Sequence, residues 1–185
     1  MLNRLGAFFL DILEVIVFAI AIFLFFYLLI FQPHKIKGDS MQPNYANGEY
    51  LLTDKVSYRI HKPKRGEVII FEAPTGNGEE FIKRILGVPG ETVSIKEGRF
   101  YVNSNAVDER YLPPDTLTYA GNFLKEGEEK IVPPNEYFVM GDNRPHSSDS
   151  RTWGFVPKGK INGKAWFIYW PLSRAGLVAE MQYSS

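Results

Sequence analysis

A mostly β fold is predicted for this chain: a single N-terminal transmembrane helix followed by an antiparallel β-sheet domain. Three observations carry the prediction. Residues 15–31 contain no charged side chain. Beyond them, turn-forming residues interrupt the chain at short intervals. Between the turns lie short runs rich in β-branched and aromatic residues, and no segment after residue 32 keeps a helical period over a useful length.

The apolar run comes first. Ile12 and Leu13 extend it toward the N-terminus, so residues 12–31 would span roughly 30 Å as a helix, about the hydrocarbon thickness of a bilayer. A soluble domain of this size could hardly hide so continuous an apolar surface on all sides. The run is too long for a signal-peptide core, and Gln32-Pro33-His34-Lys35-Ile36-Lys37 offers no small-x-small cleavage site, so a retained single-pass anchor over residues 1–33 is expected. Orientation stays open on charge alone. Arg4 and the α-amino group flank one side and Lys35 and Lys37 the other, and a large following domain can translocate regardless of such a bias.

Residues 34–185 then read as a β-rich domain. Asn47-Gly48, Val88-Pro89-Gly90, Pro133-Pro134-Asn135 and Asn162-Gly163 are among its turns, and a further turn is expected over residues 74–78. The runs Glu67-Val68-Ile69-Ile70-Phe71, Thr92-Val93-Ser94-Ile95-Lys96, Arg99-Phe100-Tyr101-Val102 and Glu136-Tyr137-Phe138-Val139-Met140 are strands. Glu97-Gly98 between two of them predicts a tight hairpin. Residues 103–130 are looser and more polar, which suggests an inserted excursion rather than core. The aromatic segment Ala165-Trp166-Phe167-Ile168-Tyr169-Trp170 suits either a core strand or a membrane interface.

Composition excludes several functions. Basic and acidic residues number 21 each, and no basic tract interleaved with aromatics suggests a nucleic-acid groove. There is no cysteine, hence no thiolate nucleophile or zinc–thiolate site. The three histidines are too scattered for a metal cluster, so no metal and no cofactor is expected.

What remains is a serine and a lysine. Ser40 sits in Gly38-Asp39-Ser40-Met41-Gln42-Pro43, just after the apolar run. Lys83 sits in Phe81-Ile82-Lys83-Arg84-Ile85-Leu86-Gly87-Val88-Pro89-Gly90, where strand alternation would put Phe81 and Ile85 on its own face. A serine needs a base to become a nucleophile, and a lysine can be that base if desolvation lowers its pKa. A third segment, Gly141-Asp142-Asn143 through Ser147-Ser148-Asp149-Ser150-Arg151, is dense in hydroxyls and charges that could hold the lysine and a carboxylate–guanidinium pair.

Ser40-Met41-x-Pro43, Lys83-Arg84-x-x-Gly87-x-Pro89-Gly90 and Gly141-Asp142-Asn143 through Ser147-x-Asp149-Ser150-Arg151 occur in an order and spacing that resemble the type I signal peptidases over essentially the whole chain. The resemblance implies a β-sheet domain of signal-peptidase type, with Ser40 as nucleophile and Lys83 as general base. Ser147 would orient the lysine, Asp149 and Arg151 would form a supporting ion pair, and Asp142 with Arg84 a second. Ile36, Met41, Phe81 and Ile82 match positions that would line shallow apolar substrate pockets. It further implies secretory preproteins as substrates, cut after small residues at −1 and −3. The cell membrane would be the location, with the N-terminus cytoplasmic and the domain outside. A lipid bilayer is then a partner, nucleic acid is not, and a monomer is expected. Gly38 stands where some members carry a serine that helps form the oxyanion hole, and Asn44-Tyr45 replaces a more usual threonine–leucine.

Three alternatives remain open on sequence. A related Ser-Lys processing protease with narrow substrates would share these motifs. Gly38-Asp39-Ser40-Met41 is one residue from the signature of certain esterases, which need an α/β frame and a late Asp-x-x-His. A membrane-tethered binding domain would explain the anchor and sheet but leave Lys83 without a purpose.

Overall fold

The structure, a computed structural model, describes residues 2–74, 76, 78–179 and 181. Met1, Thr75, Asn77, Glu180 and residues 182–185 lie outside the described residues, and with them the two ends of the expected domains and part of the turn expected over residues 74–78.

Helix α1, Leu2–Ile30, contains one stretch, Phe8–Tyr27, that is long and apolar enough to cross a membrane, with mean hydropathy 2.7 and none of it buried against the rest of the chain. It ends at Ile30, where β1, Phe31–Lys35, begins with no linker. Residues 31–33, expected to belong to the anchor, therefore belong to the sheet. The apolar run continues through Phe31, which conceals the boundary, and Pro33 is tolerated because β1 is an edge strand with its ladder on one side only.

The remaining strands are β2 Tyr50–Asp54, β3 Val68–Glu72, β4 Glu80–Gly87, β5 Thr92–Lys96, β6 Arg99–Val102, β7 Asn105–Ala106, β8 Glu129–Ile131, β9 Glu136–Met140, β10 Val156–Pro157, β11 Ile161–Trp170 and β12 Gly176–Leu177. Short helices α2, Ser57–Ile60, and α3, Ser150–Trp153, interrupt them. One sheet runs β1-β2-β11-β3-β4-β9-β10 with β12 on β11, and a second runs β7-β6-β5-β8. All pairings between these strands are antiparallel.

Three apolar clusters fix this arrangement. Val68 and Ile70 pack with Ile36, Met41 and Leu51 on one face of β3, while Ile69 and Phe71 pack with Ile85, Tyr137 and Val139 on the other. That is the period-two alternation of a strand buried on both sides. The third cluster joins the sheets through Leu86, Val93, Ile95, Phe100, Phe138 and Met140. The hairpin over Glu97-Gly98 forms as predicted, with Lys96 opposite Arg99 and positive φ at both loop residues, the geometry of a type I′ turn.

The segment 103–130 is not simply an excursion. It carries little strand, but Tyr111 and Leu124 are buried in the third cluster, and Val107, Leu112 and Phe123 pack against it. The Gly121 backbone lies so close to the Arg151 carbonyl that a Cβ would not fit. Trp166 and Trp170 remain partly exposed on β11, and Trp166 stacks on Phe31 with ring centroids 4.6 Å apart.

Candidate active site

Ser40 lies in the turn after β1, and Lys83 lies on β4 opposite Ile69 of β3. Sequence-distant strands thus deliver the two side chains to one place, and Lys83 Nζ donates to Ser40 Oγ at 2.7 Å. The second bond of the amine goes to the carbonyl of Ile82, at 3.0 Å. Phe81 covers it from the same strand face, with the ring centroid 5.2 Å from Nζ.

Lys83 is 4% exposed. Burial disfavours its ammonium and lowers its pKa to about 8, against the raising pull of the Asp149 and Asp142 carboxylates, while the Arg151 charge adds to the lowering. Desolvation wins because both carboxylates are already engaged by guanidinium groups.

Those engagements are bidentate. Arg84 Nε and Nη2 donate to the two oxygens of Asp142 at 2.9 and 2.6 Å, and Arg151 Nε and Nη2 donate to those of Asp149, both at 2.8 Å. All four side chains are buried. Parallel N–H···O bonds of this kind fix orientation as well as charge. Asp149 also accepts from the Gly141 amide at 3.1 Å, so the ion pair holds the backbone of the third motif.

The Gly141-Asp142-Asn143 turn has a purpose at each residue. A Cβ on Gly141 would collide with Ser147 Oγ and with the Ser40 carbonyl oxygen, so only glycine lets this turn approach the Ser40 loop. Asp142 binds Arg84. The Asn143 amide donates to the Ser40 carbonyl at 3.0 Å, and its side chain donates to the Asp39 carbonyl at 3.0 Å.

Two expected site residues sit differently from expectation. The bond expected from Ser147 to Lys83 is not formed. Ser147 Oγ is buried without a hydrogen-bond partner among the described residues, packed against Gly141, while Lys83 bonds Ser40 and its own strand. Met41 does not line the cleft. It is 1% exposed and packs beneath, with Ile36 and Ile70. Ile36, Phe81 and Ile82 do line it, together with Ser40 and Lys83, in an open cavity of about 1070 Å³ between β1 and β4.

Several polar groups of the site were missed from sequence. Asn44 donates to Asp142 Oδ2 at 2.8 Å and to the Tyr111 carbonyl at 3.0 Å, so the residue that departs from the family pattern is tied into the second ion pair. Arg144, buried beside Asp142, binds the carboxylate of Glu109 and the hydroxyls of Thr118 and Tyr111. Glu109 and Thr118 come from the 103–130 segment, which therefore braces the site. The only local hint was Arg144 standing directly after the Gly141-Asp142-Asn143 turn.

This arrangement can deprotonate a serine hydroxyl in a dry setting and present it to an extended chain lying in the cleft. The esterase alternative loses its basis, since the domain is β-rich and lacks an α/β frame among the described residues.

Comparison with known proteins identifies the family. A family model described as signal peptidase, peptidase S26, matches residues 9–170. The chain is 40% identical over 152 residues to a probable signal peptidase I-2 of Synechocystis sp., covering 78% of this chain and 66% of that protein. It is also 40% identical over 156 residues to a signal peptidase I of Bacillus caldolyticus, covering 80% of this chain and 84% of that one. A crystal structure of a signal peptidase I from Enterococcus faecalis V583 is similar at 31% identity, with a TM-score of 0.45 over 56% of this chain and 97% of that chain.

Proposed function

The chain belongs to the type I signal peptidase family of serine proteases, and on that premise we propose that it removes signal peptides from secretory preproteins with Ser40 as nucleophile and Lys83 as general base. The observation that carries the assignment is the 2.7 Å contact between Lys83 Nζ and Ser40 Oγ, made by a buried amine whose pKa has fallen to about 8.

In the working state Lys83 is neutral, and the same contact lets the Ser40 hydroxyl donate its proton to Nζ. The freed Oγ attacks the scissile carbonyl carbon. Negative charge collects on the carbonyl oxygen, and the Ser40 backbone N–H is the donor assigned to it. The tetrahedral species collapses as the Lys83 ammonium returns its proton to the leaving amine. Water, deprotonated by Lys83 in turn, then hydrolyses the acyl-enzyme and restores Ser40. The Ser147 hydroxyl, with its capacity unspent, is the group that can take a remaining hydrogen of the neutral amine and steer its lone pair toward Ser40.

Substrate choice follows from the cleft. Ile36, Phe81 and Ile82 offer shallow apolar lining, which suits small residues at −1 and −3 because packed strands cannot part for larger ones. Helix α1 anchors the protein as a single membrane span, with the N-terminus cytoplasmic and the domain on the outer side, where translocated preproteins emerge. General removal of signal peptides is preferred to a narrow processing role, because the cleft is open.

Incubation of a preprotein in detergent with wild type and with Ser40→Ala, followed by sequencing of the new N-terminus, tests this. Wild type should cut after a small residue and the variant should not cut. A purified Ser40→Ala protein retaining more than trace activity overturns the assignment.

A further inference from the structure

The chain leaving β2 carries a concentration of positive charge that the chemistry at Ser40 does not use. Residues 55–65 contain five lysines and arginines and no carboxylate. Their place is fixed against the end of α1. Phe31 stands opposite Asp54 in the sheet, and the Lys55 amide donates to the Ile30 carbonyl at 3.0 Å. From there the chain turns through α2, which packs against β11.

Between α2 and the start of β11 lies a cavity of about 340 Å³. Lys55, Arg59 and Lys158 line it with Tyr58 and Ile161, and no Asp or Glu is among its lining. The carboxylates of the surrounding strands are occupied elsewhere. Asp54 accepts from the amides of Val56 and Ser57 at 2.8 and 2.9 Å. Glu67 accepts from the Tyr58 hydroxyl at 2.9 Å and from Lys164 at 3.0 Å. Lys160 donates to Glu72 at 2.7 Å, and Asn162 donates to Glu80 at 2.5 Å. Three cations thus converge on one cavity without an ion-pair partner among the described residues.

Depth decides the kind of anion that fits. The stretch able to cross a membrane ends at Tyr27, and Ile30 lies three residues beyond it. That is about 4.5 Å along a helix, and the headgroup layer outside the hydrocarbon is roughly 5–8 Å thick on each side. Lys55, bonded to Ile30, therefore stands at headgroup level. Ile60, at the end of α2 beside Arg59, is 84% exposed. An apolar side chain among cations suits the boundary between headgroups and acyl chains.

Resting on the reading of α1 as a membrane span, we propose that this cavity binds the headgroup phosphate of an anionic phospholipid, with Lys55, Arg59 and Lys158 as its ligands and Ile60 against the acyl chains. The guanidinium of Arg59 offers a planar fork to two phosphate oxygens, while the two lysines act as point charges. A lipid held there joins the domain to the bilayer at a second point beside α1 and so limits its tilt.

The test reads lipid retention, not cleavage. The full chain, in detergent micelles doped with equal amounts of phosphatidylglycerol and phosphatidylcholine, is analysed by native mass spectrometry. Wild type should retain phosphatidylglycerol in preference to phosphatidylcholine. Lys55→Gln, Arg59→Gln and Lys158→Gln should each lower that preference about fivefold, the effect of one basic side chain near an anionic surface. Lys96→Gln, on the second sheet, should leave it unchanged. Because the readout is a ratio between two lipids in one sample, partial loss of folded protein does not alter it. Equal retention of both lipids by wild type, or a triple variant with the wild-type preference, overturns the site. Displacement of the lipid by millimolar glycerol phosphate also overturns it, and assigns the cavity to soluble phosphate esters. Carbonate extraction of vesicles carrying the full chain separates the two readings. Wild type released to the soluble fraction overturns the membrane span, and the site with it; wild type retained but without lipid preference overturns the site alone.

Discussion

Single residues at the site are placed by long-range contacts whose tolerance is small. Gly141 is the clearest case. A methyl group there meets the Ser40 carbonyl and the Ser147 hydroxyl, one on backbone that cannot swing away. Gly141→Ala should therefore displace the Ser40 loop and lower kcat/KM by roughly 10²-fold or more, since misplacement of about an ångström suffices for that. Assay of the purified variant against a peptide substrate checks this; wild-type turnover would show that the turn can yield. Ser40 and Lys83 were legible because each stands in a distinctive local setting, a hydroxyl after an apolar run and an ammonium among apolar residues. Asn44, Glu109 and Thr118 were not. Their partners lie 98, 35 and 26 residues away, and no local pattern encodes such a meeting.

At the scale of elements, the two buried ion pairs tie β4 and α3 to the turn after β9. Arg84 sits on β4 with Asp142 as its carboxylate partner, and a lone guanidinium there would be both charged and dry. Asp142→Ala should cost about 3–5 kcal/mol of stability, because removing one partner leaves the other buried and unpaired. Thermal unfolding of the full chain in detergent, compared with wild type, reads this directly; an unchanged midpoint would mean that water or another group compensates Arg84. The strands with strong local signals, such as the hairpin around Glu97-Gly98, were readable from sequence because turn and strand chemistry agree there. β1 was hidden by its continuity with the apolar helix. The 103–130 segment was hidden because Tyr111 and Leu124 are buried through scattered contacts without any period.

For the whole molecule, the helix and the domain divide the work. None of the cleft lining or the Ser40–Lys83 pair comes from α1, while the stack of Phe31 on Trp166 belongs to the sheet itself. Removing residues 1–30, and sparing β1, should leave a folded domain that still cuts short soluble peptides. Cleavage of membrane-embedded preproteins should fall further, because tethering raises effective concentration in the plane of the bilayer. Equal loss on both substrates would assign α1 a part in the fold.

The lowered pKa of Lys83 comes from its burial in the assembled domain, with Ser40 from the loop after β1 against the amine and Phe81 of β4 over it. A depressed pKa means that the neutral base is available at moderately alkaline pH and is lost to protonation as pH falls through that value. The pH dependence of kcat/KM for signal-peptide cleavage is thus the most direct measurement. It should show a limb that rises about tenfold per pH unit and levels off above about 8, set by Lys83 in the free enzyme. A limb centred near 6.5, the ordinary range of a histidine, or activity independent of pH across that interval, would contradict the lysine as general base.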